Sequence, residues 1–402
     1  MAYLASASDL STIYEVNETY ASMASARPLP DSFIEKSIEI IISKAVIIEE
    51  NAFTRYALYT ITGRDSSGPF EASRRYSDFL ALRNQLLYRW PGCFVPPIPP
   101  KKILGNLTSN FIESRKSLLQ RFLQRISQIT FLYTSEEFQM FIRGTSDFEV
   151  IIKNLKVATR DIMIVFHSLF CEFVDAEITD EIRVKLVEYD NFLKNSLGLF
   201  VEFAKAVKMI KEQFERFKRH FLDVNCKIKA VEKEYIMKLQ ESEMQIDNAQ
   251  VRFAIPNPFK ELHSWAKNEI ADISAMLNTI SICHSFENRK KKLERKLSLE
   301  NKLVNKAQKG IDNIWKQMAH ITKKYPEDPE LKKARIKSEI EDITQILKIM
   351  TARLCEEELP VFKAERVKAY EDMMALYSEL TLEGFTRISE SAMRVHIEML
   401  DN

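Results

Sequence analysis

The chain has 402 residues, 46% of them hydrophobic and 29% charged, which is enough to bury two separate cores. A formal charge of +1 excludes a surface committed throughout to nucleic acid, so any anionic partner must be met by local basic patches. Five cysteines, Cys93, Cys171, Cys226, Cys283 and Cys355, stand singly, without the paired spacing of a zinc site or a disulfide framework, and fit a reducing compartment. The first ten residues lack the charged and apolar runs of a secretory signal. No stretch reaches the roughly 18 unbroken apolar residues of a membrane span, so a membrane, if one is involved, is predicted to be visited from the cytosol.

Turn residues are unevenly spread: five of eight glycines and eight of thirteen prolines precede Thr145. Residues 1–30, rich in Ser, Ala and Thr, read as a disordered tail, whose hydroxyls are either phosphorylation sites or of no consequence. A compact domain is predicted over 31–145. In it, IEIIISKAVII, FTRYALYTIT and PFEASRRY are β-branched and aromatic runs, with GRDSSG as a loop signal, and predict three antiparallel strands. Ser77 is placed to cap a helix whose apolar face carries Phe79, Leu82, Leu86 and Leu87. The PPIPP run, Pro96 to Pro100, predicts an extended polyproline turn. A second amphipathic helix then turns Ile112, Leu119, Phe122, Leu123 and Ile126 inward, and Thr134 to Glu137 predicts a capping box for a short third.

From 146 to 170 an apolar stripe, Ile151, Leu155, Ala158, Ile162, Val165 and Leu169, opposes Lys153, Lys156 and Arg160, the profile of an amphipathic linker helix. Residues 171–402 carry three long heptad seams, predicted as helices at about 180–252, 258–324 and 330–400, with breaks at IPNP and YPEDP and a kink at Pro360. The first seam runs through Leu186, Leu193, Phe203, Val207, Ile210, Phe214, Phe217, Val224 and Val231. Fifty residues of helix span about 75 Å, and so much phenylalanine on a thin bundle predicts burial against another copy or a close relative.

No converging polar set of catalytic type is present: there is no P-loop, dinucleotide fingerprint, HExxH or GxSxG. The six histidines are scattered singly. The sequence therefore predicts no enzyme, no catalytic residue, no metal site and no cofactor. Basic residues instead gather at joints of the first domain: Arg74, Arg75 and Tyr76 after the third strand, Lys101 and Lys102 after the proline turn, Arg115 and Lys116 in the next helix. Two arginine forks, an ammonium and an aromatic face suit a phosphorylated ring, although a solvated basic face fits the same composition. A second group, Arg289, Lys290, Lys291, Lys292, Arg295, Lys296, Lys323, Lys324, Lys332 and Lys333, surrounds the predicted helix tip at Pro326.

RRYSDF at Arg74 to Phe79, VPPIPPKK at Val95 to Lys102 and FIESRKSLLQRFL at Phe111 to Leu123 resemble the phox-homology (PX) domain across about 37–143. With three heptad helices behind it, the chain is similar to sorting nexins of the SNX-BAR type. The resemblance implies an α+β PX domain, with a three-stranded antiparallel sheet plus helices, followed by an all-α, elongated three-helix BAR coiled coil.

It implies phosphatidylinositol 3-phosphate as ligand, with Arg75 on the 3-phosphate, Tyr76 under the inositol, Lys101 toward the 1-phosphate and Arg115 toward ring hydroxyls. Arg74 is a weaker contact, and so is Lys102, which is an alternative to Lys101 because Pro100 stands where relatives often carry glycine. Val95 and Ile98 are implied to dip into the bilayer, and the linker helix either lies in the membrane interface or docks the PX domain onto the bundle. A homodimer, or a heterodimer with a related sorting nexin, would set the basic residues against an anionic membrane, sensing or remodelling curvature. The implied setting is peripheral, on early endosome membranes in the cytoplasm, in sorting and tubule formation. The alternative is a lipid-anchored coiled-coil scaffold that leaves membrane shape alone.

Overall fold

The computed structural model describes residues 38–51, 54–101, 108–144, 148–155, 157–236, 255–307 and 329–397. Lys102, Lys323, Lys324 and the N-terminal tail lie outside the described residues. Three strands, β1 (Glu39–Asn51), β2 (Thr54–Asp65) and β3 (Gly68–Arg75), form one antiparallel sheet in the order β1-β2-β3. Asp65 pairs with Gly68 across the hairpin. Gly68 adopts φ +107 there, a left-handed conformation that a side chain would strain.

Helices α1 (Tyr76–Arg89), α2 (Ser109–Ser127), α3 (Thr130–Tyr133) and α4 (Glu136–Arg143) cover the sheet. Their apolar faces meet around Phe79, whose ring lies 4.9 Å from Phe141 and 6.4 Å from Phe122. From α2, Gln120 ties the helix to the first strand, accepting from the Ile42 N–H and donating to the Ile40 carbonyl. Two caps differ from expectation. Helix α1 begins two residues earlier than Ser77 would set it, because Asp78 accepts the Arg75 backbone N–H at 2.8 Å. Helix α4 is capped by Ser135, which accepts from Phe138 N, and not by Thr134, whose hydroxyl turns back to the Thr130 carbonyl.

The linker is not one continuous amphipathic helix. It is α5 (Phe148–Asn154) and α6 (Thr159–Leu169), followed by a short 3₁₀ turn at Cys171–Phe173. Its buried face is Phe148, Ile152, Val157, Ile162, Met163 and Phe166, while Ile151 and Leu169 from the expected stripe are exposed. The break shifts the phase of the second half, so the apolar face turns onto protein.

The long helices are α7 (Asp180–Val231), running into a π-helical turn at Glu232–Ile236, then α8 (Pro258–Ala307), and then α9 (Pro329–Arg353) and α10 (Leu359–Ile397) joined by a second π-helical turn at Leu354–Glu358. This second turn sits directly before Pro360, which has no N–H to continue the ladder, so the wider turn absorbs the irregularity. The first seam divides in two. Leu186, Leu193, Val207 and Phe214 are buried inside the bundle, while Phe203, Ile210, Phe217, Val224 and Val231, seven residues apart, stay 37–58% exposed. Among the described residues no helix is long and apolar enough to cross a membrane.

The two halves share one core. Phe94 packs 5.8 Å from Phe362 of α10, the Thr279 hydroxyl of α8 donates to the Cys93 carbonyl, and Arg353 of α9 donates to the Cys93 sulfur. Gly92, at φ +78, abuts Met350 so closely that a Cβ would lie 2.0 Å from its Cγ. At the centre of the joint is a buried charge cluster. Asp272 of α8, wholly buried, is gripped by Arg121 and Arg125 from α2 and by Arg366 from α10, and Glu269 shares Arg366 at 2.9 Å. The three cations hold the Asp272 carboxyl well below the usual range although burial opposes them. Glu269 goes the other way, pushed up to about 7 by burial, because Asp272 competes for the same arginine.

Candidate functional site: a basic cup beside the proline turn

Strand β3 ends and α1 begins at Arg75-Tyr76, so these two side chains leave the sheet at its corner, next to the proline turn. The Tyr76 hydroxyl donates to the Pro99 carbonyl at 2.6 Å. Arg115, one and a half turns into α2, lays its guanidinium 4.2 Å from the Tyr76 ring centroid and 4.4 Å from that of Phe111, and donates to the Pro100 carbonyl at 3.3 Å. Arg83 fixes the other end of the turn through the Pro96 carbonyl at 2.9 Å. Tyr76, Arg115 and the turn are thus one assembly, and Lys101, exposed, follows directly from it.

Burial raises the Tyr76 hydroxyl pKa and lowers those of Arg115 and Arg83, the last to about 10. All three keep their ordinary protonation near neutral pH. Behind the cup, the Arg115 guanidinium also meets the buried Tyr59 hydroxyl, which anchors it from the core side.

Arg75 is 41% exposed and reaches Glu149 of α5 at 2.9 Å, with Asp78 at 3.7 Å from its Nε. Nothing local in the sequence announces Glu149, which lies 74 positions away. Its carboxylate occupies one fork of the arginine expected to meet phosphate. Arg74, in contrast, is no ligand contact: it is 4% exposed and donates to the carbonyls of Phe141, Met140, Gly144 and Ser73. An alternating strand must send one of two adjacent residues inward, and Arg74 is that one, clamping the end of α4.

The expected membrane-inserting turn is corrected by the same contacts. Val95 is wholly buried, and Ile98 is half-buried against the core, facing the α2–α8 cleft. Core packing, which explains Phe94, explains Val95 too.

On the bundle, Lys291, Lys292, Arg295 and Lys296 are exposed along α8. Lys290 lies 4.0 Å from Glu294, Arg289 is drawn inward to Glu339 and Thr159, and Lys332 bridges to Glu300. Lys333 is 8% exposed and pairs with Glu330, which removes it from the proposed surface.

Comparison with known proteins agrees with this layout. Residues 63–144 match the PX domain family. The chain is 35% identical over 101 residues to sorting nexin-7 of Mus musculus, covering 24% of this chain and 26% of that one. It is 33% identical over 157 residues to sorting nexin-4 of Eremothecium gossypii, covering 35% and 37%. These matches span roughly a quarter to two-fifths of the relatives' length. Over 87% of this chain and 99% of the other, the fold aligns with the cryo-EM structure of the SNX-BAR Mvp1 tetramer at a TM-score of 0.51 and 15% identity. Sheet, proline turn and helices are therefore a PX domain, carried on long helices with the SNX-BAR fold. Over and around that domain the chain is similar to sorting nexins.

Proposed function

We propose that this chain is a sorting nexin, a non-enzymatic, peripheral membrane protein that reads phosphatidylinositol 3-phosphate on endosomes and holds or shapes the membrane as a dimer. The reading is carried by one observation: Tyr76, Arg115 and the proline turn form a single bonded assembly, with Arg75 and Lys101 at its edges. Tyr76 offers a ring face for the inositol and Arg75 a fork for the 3-phosphate. Lys101 offers a point charge for the 1-phosphate, and the Arg115 guanidinium, stacked on Tyr76, donors for a ring hydroxyl. A phosphate arriving at Arg75 must displace Glu149. The dimer reading rests on the exposed heptad stripe of α7, which water disfavours and a second copy, or a related sorting nexin, would cover.

In a dimer, two cups and the exposed lysines of α8 act together. Each basic side chain near an anionic surface contributes about 1 kcal/mol, and the later contacts are effectively intramolecular. Co-sedimentation with liposomes that vary in phosphoinositide and diameter tests this. Wild-type protein is expected to select the 3-phosphate lipid, and Arg75→Ala to retain only salt-sensitive binding to acidic vesicles. Equal binding of both proteins to every phosphoinositide would remove the site assignment. Indifference to diameter, without tubulation, would favour a lipid-anchored scaffold.

A further inference from the structure

Helix α8 changes character along its length. Around Thr279 it packs on the PX domain, but Phe286 is the last of its described residues to be buried. Of the stretch 291–300 only Leu293, Leu297 and Glu300 are half-buried, and Leu299 is 61% exposed. This end of the helix is held by its own backbone ladder and few side chains, so it opens locally at lower cost than the part around Thr279.

Its charge is unbalanced. The acids nearby are engaged: Glu287 with His284, Glu294 with Lys290 at 4.0 Å, and Glu300 with Lys332. Lys291, Lys292, Arg295 and Lys296 are exposed, and none of them makes an ion pair among the described residues.

Ser298 follows these cations on the same exposed stretch, and its hydroxyl makes no hydrogen bond among the described residues. At 3.6 residues per turn, Arg295 and Lys291, three and seven positions earlier, share its face of the helix. Seven residues span about 10 Å, so both cations lie within about one Debye length of the hydroxyl at 0.1 M salt.

We propose that Ser298 is a phosphorylation site, written by a serine kinase that reads arginine three positions ahead of its target, and that the modification releases the helical domain from anionic membrane. The guanidinium of Arg295 suits the carboxylates of such a kinase's substrate groove, fork to fork. Local opening of this end of α8 supplies the extended segment that the kinase takes. In the transfer the bond from the terminal phosphorus of ATP to its bridging oxygen breaks as the serine Oγ bonds to that phosphorus; ADP leaves, and the hydroxyl proton passes to the kinase's base. The product carries a charge of about −1.5 to −2 at pH 7, which cancels up to half of the four cations around it. The consequence rests on the reading of α8 as the basic surface that meets the membrane. Each charge there is worth about a fivefold change in binding, and two are worth about thirtyfold.

The test uses the full chain. It is incubated with Mg·ATP and the catalytic subunit of cAMP-dependent protein kinase, and its phosphopeptides are mapped by mass spectrometry. Wild type is expected to be modified at Ser298, and Arg295→Gln at least tenfold more slowly. No incorporation at Ser298 overturns the proposal.

Co-sedimentation with phosphatidylcholine and phosphatidylserine vesicles that lack any phosphoinositide then reads the basic surface alone. Phosphorylation should weaken binding about thirtyfold and Ser298→Glu about fivefold. Ser298→Gln, of the same size without the charge, should bind as wild type does. Calorimetry with a soluble phosphatidylinositol 3-phosphate, which reads the cup, should give the same affinity for all of these forms. A double substitution, Lys291→Gln with Lys292→Gln, separates two kinds of failure. If it weakens vesicle binding and phosphorylation does not, the basic surface stands and the switch is overturned. If it binds as wild type does, the surface reading has failed and the switch falls with it. Equal weakening by Ser298→Gln and Ser298→Glu would also overturn the switch, because charge would not be its cause.

Discussion

Two adjacent arginines illustrate how a strand sorts function from support. Arg74 is inward and hydrogen-bonded to four carbonyls, while Arg75 is outward and shared with Glu149. Arg74→Ala should leave phosphoinositide selectivity intact and lower stability by about 2–4 kcal/mol, from lost charge-assisted bonds to buried carbonyls; chemical denaturation beside vesicle binding separates the two effects. Glu149→Gln should do the reverse. It removes the carboxylate that competes for Arg75 and should tighten headgroup binding about two- to fivefold, the worth of a partly exposed ion pair, as read by calorimetry; unchanged or weaker binding would mean that Glu149 positions Arg75 instead.

The residue types at 74–76, 101 and 115 were legible in the sequence because they stand in a local motif. What each does was less so. Which arginine faces inward depends on strand register, and Glu149 reaches Arg75 only through tertiary folding.

At the scale of elements, strands, helices and the heptad phase were legible because apolar spacing decides them. The docking of one domain on the other was not. The linker reads as a helix for the membrane interface until its break between Asn154 and Thr159 is known, and Val95 and Ile98 read as a membrane-dipping turn until Val95 is found in the core and α8 beside Ile98. The joint itself is made by Arg121, Arg125, Asp272 and Arg366, residues that any surface helix carries.

That joint predicts a pH dependence. Glu269 has a folded pKa near 7, above its unfolded value. Its contribution is fully present below the unfolded value of about 4.5 and is lost as pH rises to 7, on the order of 3 kcal/mol. His263, with its pKa lowered to about 3, has the opposite sign: its contribution is present above about 6.5 and lost as pH falls toward 3. The stability difference between Glu269→Gln and wild type should therefore grow in the variant's favour between about pH 4.5 and 7 and then level. Melting curves across that range check it, and a flat difference would mean that Arg366 keeps Glu269 ionised throughout.

At the scale of the whole molecule, the apolar stripe of α7 is the feature that a single chain leaves unresolved. Phe203, Ile210, Phe217, Val224 and Val231 fall at one heptad position each turn of the repeat, while the neighbouring Val207 and Phe214 are buried among α8 and α10. Phe217→Glu should weaken self-association at least tenfold, since a buried charge would face the partner, with the PX cup unaffected; sedimentation equilibrium reads the first and headgroup binding the second. Loss of the dimer should also weaken binding to vesicles more than binding to a soluble headgroup, because only the former uses two cups at once.

The account rests on the cup at the end of β3, and the most direct measurement is titration calorimetry of the full chain with a soluble, short-chain phosphatidylinositol 3-phosphate, where neither dimer geometry nor vesicle charge contributes. Wild type is expected to bind with one site per chain, and Arg75→Ala to lose the heat of binding while keeping its melting temperature. Binding of equal strength by the two proteins would contradict the account.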